Sequence, residues 1–190
     1  MHIHKTSIVN KKAKIGKNTK IWQWSHIREG SQIGEDCIIG QNCYIGPGVK
    51  IGNRVKIQNN VSIYEPIEIE DDVFCGPSMV FTNVVNPRSF VERKNEFKKT
   101  ILRKGSSIGA NATIICGIEI GEYSLVGAGS VITKNVDSFS CVVGNPSKHL
   151  YWVTIEGKKI IFDKKNKFLF NGYNYFFDSS KSKVKCTKIL

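Results

Sequence analysis

Histidine is scarce in this chain: 190 residues hold four, His2, His4, His26 and His149. With the amino-terminal pair set aside, the remaining two lie over a hundred residues apart. That is too few for the three convergent imidazoles of a catalytic zinc. Acids are also few, 16 Asp and Glu against 28 Lys and Arg, which leaves a net charge of +12. No apolar run approaches the ~20 residues that cross a bilayer. Met1-His2-Ile3-His4 has no basic-then-apolar design of an export signal, so a cytoplasmic protein without membrane insertion is expected. The six cysteines include no C-x-x-C pair. They read as reduced, structural thiols rather than disulfides or metal ligands, and no metal is expected.

The positive charge alone invites a nucleic-acid partner, but no arginine–aromatic single-strand motif or groove-reading helix accompanies it, so none is expected. Much of the excess sits in residues 151–190, where nine lysines face three acids. What remains suits small ligands that carry phosphate.

What the chain does have is repetition. Ile or Val falls on every sixth position from Ile3 to Ile69, through Val9, Ile15, Ile21, Ile27, Ile33, Ile39, Ile45, Ile51, Ile57 and Ile63. Glycine often follows (Gly16, Gly34, Gly40, Gly46, Gly52), which suggests a turn with unusual dihedrals. The fourth residue after the aliphatic is small or β-branched, as at Thr19, Ser25, Ser31, Cys37 and Cys43. A period of six fits neither helix nor simple strand over this length. It fits short extended segments joined by tight corners, three segments to a coil, with coils roughly 4.8 Å apart. The pattern runs on through Cys75 and Phe81 and breaks from about Val84 to Ile101, where Pro87 and dense charge argue against a buried coil. It resumes in a shifted phase at Leu102, Ile108, Ile114, Ile120, Val126 and Ile132. About twenty hexads predict six to seven coils, a prism roughly 30 Å long. A long excursion inside a strict repeat is expected to be functional.

Past residue 150 the repeat stops. Ile160–Phe162 and Lys167–Phe170 read as strands around a turn at Asp163–Asn166, with a second turn at Asn171-Gly172, so two or three short antiparallel strands, or one hairpin, are expected. This extension, 151–190, should pack on the last coils or on a neighbouring subunit, since so many exposed aromatics would aggregate.

The repeat resembles that of the hexapeptide-repeat acyltransferases. Three stretches narrow the likeness: Lys56 to Tyr64, Glu70 to Val84 and Asn86-Pro87-Arg88. In these the chain resembles the N-acetyltransferases of nucleotide-linked 3-amino sugars. Gly127-Ala128-Gly129 and Val143-Gly144-Asn145-Pro146 match the family's last coil and exit. The resemblance covers about residues 3–152. It implies an all-β, left-handed parallel β-helix over 1–150, against the usual right-handed preference of crossovers, with the loop 84–101 as an excursion and a β-hairpin-like extension after it. It further implies acetyl-CoA as co-substrate and a homotrimer with sites between subunits. The acceptor would be a dTDP-3-amino-3,6-dideoxyhexose or a UDP-3-amino-uronic acid destined for bacterial surface polysaccharide. A carboxylated sugar would want a fixed arginine; Arg28 and Arg88 are available, and neither compels that choice.

Acetyl transfer to an amine needs a neutral, aligned nitrogen, a stabilised oxyanion and a route for one proton. The family commonly uses a histidine base, yet the segment Asp71–Asn83 contains none. Asn83 stands there instead. An amide is no base at neutral pH, but it can accept a hydrogen bond from the amine, with the coenzyme A thiolate as the final proton acceptor. The competing reading of Asn83 is a turn residue that caps the loop. Asn60, Tyr64, Arg88, His26, Gln41 and Glu65 are candidates for sugar and nucleotide contact. Gln41 and Asn59, and likewise Asn42 and Asn60, stand one coil apart and should stack; simple solvation would produce such a ladder too. Gly109, Ala110, Gly127, Ala128, Lys134 and Asn145 are candidates for coenzyme A, with plain repeat geometry as the alternative for the small residues.

Three other functions compete. A β-helical zinc carbonic anhydrase lacks its histidines here. An ice-binding or scaffolding solenoid would show a regular outward array, usually of threonine, and no interruption. An O-acetyltransferase of a sugar or of serine needs a base for the hydroxyl proton.

Overall fold

In the computed structural model, which describes residues 1–189, the hexads become two-residue strands joined by corners. Each strand pairs in parallel with the one three hexads on: His2 with Lys20, Lys20 with Ile38, Ile38 with Lys56. The result is a three-sided parallel β-helix. The first face carries His2–Ile3, Lys20–Ile21, Ile38–Ile39, Lys56–Ile57, Phe74–Cys75, Ser107–Ile108, Leu125–Val126 and Ser140–Gly144. The second carries Ile8–Val9, His26–Ile27, Tyr44–Ile45, Ser62–Ile63, Val80–Phe81, Thr113–Ile114 and Val131–Ile132. The third carries Lys14–Ile15, Gln32–Ile33, Lys50–Ile51, Ile67–Ile69, Thr100–Leu102 and Glu119–Ile120.

The second residue of each pair points inward. Ile21, Ile27, Ile39, Ile45, Ile57 and Ile63 are wholly buried in one continuous column. Burying such a side chain contributes about 1.5–3 kcal/mol, an upper figure because the unfolded chain already hides some area. Cys75 occupies an aliphatic position as expected, and burial pushes its thiol up to about 12. All six cysteines are free thiols.

The corners explain the rest of the hexad. Thr19 and Ser25 are buried, and their hydroxyls donate to the carbonyls of Gly34 and Gly40 at 2.8 and 2.7 Å. The same oxygens accept from the amides of Cys37 and Cys43 at 3.0 and 3.1 Å. At these two corners the small polar residue thus staples one coil to the next with its hydroxyl fully paired, whereas the buried hydroxyl of Ser106 has no partner among the described residues.

The glycine after the aliphatic has a different reason from the one its sequence context suggests. None of Gly16, Gly34, Gly40, Gly46 and Gly52 has a left-handed φ. That conformation falls two residues later, on Asn18, Trp24, Gly30, Asp36, Asn42, Gly48, Arg54 and Asn60, with φ between 54 and 70°. Gly16, Gly34, Gly40 and Gly52 are required by stacking: a Cβ on Gly34 would lie 2.5 Å from the carbonyl oxygen of Gly52, and one on Gly16 2.5 Å from the carbonyl carbon of Gly34, while at Gly46 the nearest atom is 3.1 Å away.

There are seven complete coils and the first strand of an eighth, slightly more than the hexad count predicts. Leu125 pairs with Cys141 and Ile120 bridges to Val136, each sooner along the chain than three full hexads would bring the partner. The last coil is therefore short, and its inward Val136 and Val142 fall outside a count by sixes.

Across the excursion, Phe74 pairs with Ser107, Val80 with Thr113 and Ile69 with Leu102, the same offset on all three faces. The inserted segment therefore leaves the phase of the helix unchanged. The excursion ends two residues earlier than the charge pattern implies. Thr100 and Ile101 already belong to the third face, paired with Ile67 and Glu68. Thr100 is buried and its hydroxyl accepts from the amide of Gly117 at 3.1 Å. The preceding Lys98-Lys99 obscured the resumption.

At the far end Ser140–Gly144 turns through Asn145-Pro146, and Ser147–Trp152 returns antiparallel along the edge of the first sheet. A separate antiparallel sheet follows: Lys167–Phe170, Tyr173–Asp178 and Lys183–Lys188. Tyr175, Ile160 and Val184 pack with Phe139 of the last coil and with Tyr123 one coil below, so the extension lies on its own solenoid. The expected strand at Ile160–Phe162 does not form. The amide of Ile160 donates to the carbonyl of Trp152 at 2.8 Å, and the partner of Lys167–Phe170 is Tyr173–Asp178 across the Asn171-Gly172 turn. Three strands agree with the two or three expected, although the position of the third, Lys183–Lys188, was not legible in its lysine-rich sequence. Leu190 lies outside the described residues.

The two kinds of glycine should respond oppositely to substitution. Gly34→Ala forces backbone apart and should cost about 2 kcal/mol or more. Gly48→Asn places in a left-handed corner the residue already found there at Asn18, Asn42 and Asn60, and should change stability by less than about 0.5 kcal/mol. Urea unfolding midpoints of the two variants give the comparison; equal losses would contradict the stacking argument.

Candidate active site

The second face and its two flanking corners collect every candidate residue. His26 stands on the face itself, in an outward column with Tyr44 and Ser62 above it. Gln41, Asn60, Gly109, Ala110, Gly127 and Ala128 fall on the corner between first and second faces, and Asn145 sits in the hairpin turn that ends that column. Tyr64, Glu65, Asn83 and Lys134 fall on the corner between second and third faces, from which the excursion carrying Arg88 departs.

In the early coils this face is aromatic. The rings of His26 and Tyr44 meet edge to face at 5.9 Å, and Tyr44 and Tyr64 are tilted at 5.9 Å. Arg28 adjoins them. Its Nε and Nη2 donate to Glu29 at 2.9 and 3.0 Å, and Nη1 reaches the hydroxyl of Tyr44 at 3.4 Å. The hydrogen bond from Arg28 holds the Glu29 carboxyl below its usual range, and the same pairing raises the guanidinium. Sequence reasoning missed Tyr44 and the pairing of Arg28 with Glu29. The signal was register: Tyr44 stands one coil above His26, and Arg28 directly follows the inward Ile27.

The amide ladder has a structural occupation. The backbone amide of Gln41 donates to Asn59 Oδ1 at 3.0 Å, and Asn42 Nδ2 donates to Asn60 Oδ1 at 3.1 Å. These are coil-to-coil bonds, a use beyond solvation. Asn60 keeps its amide donors without a partner among the described residues. Gly109 and Gly127 are likewise demanded by stacking. A Cβ on Gly109 would strike the backbone of Gly127 at 2.7 Å, and one on Gly127 would strike Val143 Cγ1 at 2.6 Å. Lys134, Asn145 and Ala128 are exposed.

Asn83 does two separable things. Its carbonyl accepts from the amide of Lys98 at 2.9 Å, which closes the neck of the excursion. Its half-buried side chain makes no hydrogen bond among the described residues. The loop-capping reading thus describes its backbone and leaves the amide available.

The excursion buries nothing of its own. It has one short 3-10 turn, Lys94–Glu96, and a single bridge between Arg88 and Val91, while Phe90 is 84% and Val85 58% exposed. Arg28, Arg54, Arg93 and Arg103 all hold carboxylates, Arg103 two of them at 2.7 and 2.8 Å. Arg88 alone among the arginines has no acidic partner among the described residues and donates only to the carbonyl of Pro87, at 3.0 Å. His149 is far from this region, on the terminal hairpin of the first face, with Nδ1 2.7 Å from Ser140 Oγ. No group of three His, Cys, Asp or Glu side chains among the described residues could hold a metal. Among the same residues no helix is long and apolar enough to cross a membrane.

A stacked prism with a small, polar-cornered hexad defines a repeat class, and comparison with known proteins gives it a family. The bacterial transferase hexapeptide (six repeats) family matches residues 12–47 and 99–134, and the hexapeptide repeat of succinyl-transferase matches 32–65. Within those residues the chain carries the hexapeptide repeat of bacterial transferases.

Among curated proteins it is 50% identical, over 52 residues, to a dTDP-3-amino-3,6-dideoxy-α-D-galactopyranose 3-N-acetyltransferase of Aneurinibacillus thermoaerophilus, a match over 27% of each chain. It is 42% identical over 67 residues to a serine acetyltransferase of Buchnera aphidicola, 35% of this chain and 25% of that one. The aligned stretches therefore span about a quarter of those relatives' lengths. A hexapeptide-repeat acetyltransferase of Vibrio cholerae, solved with acetyl coenzyme A, is 27% identical with a TM-score of 0.50, over 62% of this chain and 70% of that one.

The geometry of the neck generates a structural test. Asn83 and Lys98 are hydrogen-bonded neighbours, so replacing residues 85–97 by a Gly-Ser link should leave the parallel coils intact. Circular dichroism should retain the sheet signal and unfolding should stay cooperative. Collapse of that signal would mean the excursion holds the coils together.

Proposed function

We propose that this protein moves an acetyl group from acetyl-CoA to the 3-amino group of a nucleotide-linked sugar. It would act in the cytoplasm on a precursor of bacterial surface polysaccharide. The observation that carries the reading is the neck of the excursion. It opens beside the aromatic second face and presents an amide, Asn83, without a hydrogen-bond partner among the described residues, in a segment that contains no histidine. The local 50% identity to a dTDP-3-amino-sugar N-acetyltransferase supports the same reading.

The neutral amine attacks the thioester carbonyl carbon. As the N–C bond forms and the C–S bond breaks, the ammonium proton passes to the departing coenzyme A thiolate, and no protein base is required. Asn83 accepts a hydrogen bond from the amine and aims its lone pair, which is catalysis by positioning. Tyr64, His26, Glu65, Gln41 and Asn60 line the acceptor side, and Arg88, with its cation uncommitted, takes phosphate or sugar. Coenzyme A follows the first–second corner through Gly109, Ala110, Gly127 and Ala128, with Asn145 near its nucleotide end and Lys134 reaching that end from the opposite corner of the second face. The half-exposed face and the uncovered Phe90 and Val85 suit a homotrimer in which a neighbouring subunit completes each groove.

A second reading is O-acetyl transfer, favoured by the likeness to a serine acetyltransferase. A hydroxyl must lose its proton as it attacks, and His26 is the only histidine on the second face. The two mechanisms order two variants oppositely. On the amine-transfer reading His26→Ala retains activity within roughly tenfold, about 1.4 kcal/mol of barrier. Asn83→Ala loses on the order of a hundredfold, chiefly in kcat. Thiol release from acetyl-CoA with UDP- and dTDP-linked 3-amino sugars measures both. A nearly inactive His26→Ala beside an active Asn83→Ala overturns the mechanism.

A further inference from the structure

The acceptor sugar could carry a carboxylate at C6 or none, and the second face bears on that choice. This step rests on the proposed function and refines it. A uronate is recognised by a guanidinium whose fork is open to it, because a bidentate pair supplies both charge and geometry. The arginine placed for that role is Arg28. It is joined through Tyr44 to His26 and Tyr64, in one continuous surface. Three of its five N–H donors are already engaged. Two donors go to the two oxygens of Glu29, at 2.9 and 3.0 Å, and a third to the Tyr44 hydroxyl. The adjacent residue therefore cancels the charge and occupies the geometry. A carboxylate brought to this wall would meet a guanidinium whose charge Glu29 already offsets. The remainder of the wall, two phenol rings and an imidazole, presents apolar area and hydrogen-bonding groups. It suits a ring bearing a methyl or hydroxymethyl group.

We infer that the Arg28–Glu29 pair, braced by Tyr44, is a specificity device that selects nucleotide-linked 3-amino sugars without a carboxylate and rejects the uronates. The internal pair acts as its own occupant of a carboxylate site, and Glu29 is the selecting residue. Arg28 remains to pack against Tyr44 and to hold the wall in shape.

The test removes the internal anion and leaves the shape. The wild-type protein and Glu29→Gln are compared by kcat/KM on a dTDP-linked 3-amino-6-deoxyhexose and a UDP-linked 3-amino-uronic acid, with UDP-linked 3-amino-glucose as the control for the nucleotide. The wild type should favour both neutral sugars over the uronate. Glu29→Gln should move the uronate-to-neutral ratio towards the uronate by about fivefold or more, through KM, and the gain should shrink at high ionic strength. Tyr44→Phe, which withdraws the third contact, should move the ratio in the same direction by less. A wild type that prefers the uronate overturns the inference and would give the carboxylate to Arg88. A ratio unmoved in Glu29→Gln overturns it too. Turnover of none of the three amino sugars by the wild type would instead bring down the proposed function itself, and this inference with it.

Discussion

Everything in this molecule depends on the separation between coils. Parallel strands lie about 4.8 Å apart, and at the corners that distance brings the backbone of one coil against the backbone of the next. At Gly16, Gly34, Gly40 and Gly52, each following an inward aliphatic, an added methyl group would lie within 2.8 Å of the neighbouring coil. The same spacing lets a single threonine or serine hydroxyl accept from one amide and donate to one carbonyl of the next coil. The aliphatic column supplies the driving force, and the corners set the pitch at which it can be used. A repeat protein of this kind draws its stability from contacts between successive coils along that column.

That regularity also determines where chemistry can be placed. Inward positions are committed to the column and corner hydroxyls to the staples, so only outward side chains and departures from the repeat remain. The second face uses both. Its outward column has His26 and Tyr44 where other faces carry lysines such as Lys20, Lys56, Lys14 and Lys50. The chain leaves the helix from its edge, at Asn83. The appended sheet, by contrast, buries its aromatics against Tyr123 and Phe139, on the corner between third and first faces. The open face and the covered corner therefore lie on different sides of the prism.

Much of this was legible in the residues. The six-residue period located each inward side chain from Ile3 to Ile132 and predicted the stacking of Gln41 on Asn59. What it could not convey was the physical role of a recurrent position inside the unit. Gly34 looks like a turn residue and is a contact residue, while the turn conformation belongs to positions as varied as Trp24, Arg54 and Asn60. The shortened last coil hid Val136 and Val142, because Val136 follows Ile132 sooner than the period allows. Asn83, Tyr64 and His26, candidates from the sequence, fall on the second face and its corner, and their roles belong to the proposed function. The Arg28–Glu29 pair could not be named from the sequence, because two adjacent opposite charges more often point apart into water than fold onto each other.

The excursion enters and leaves in register on all three faces, although the chain between its paired strands is nearly twice as long as in any other coil. For the solenoid it is a parenthesis: coils on either side pair as though it were absent. Closing such a loop grows costlier only slowly with length, about 0.6 kcal/mol per doubling. A chain built in this way can exchange the segment beside its working face for another of different length or charge without moving a core residue. The scaffold and the inserted segment are thus free to diverge at separate rates.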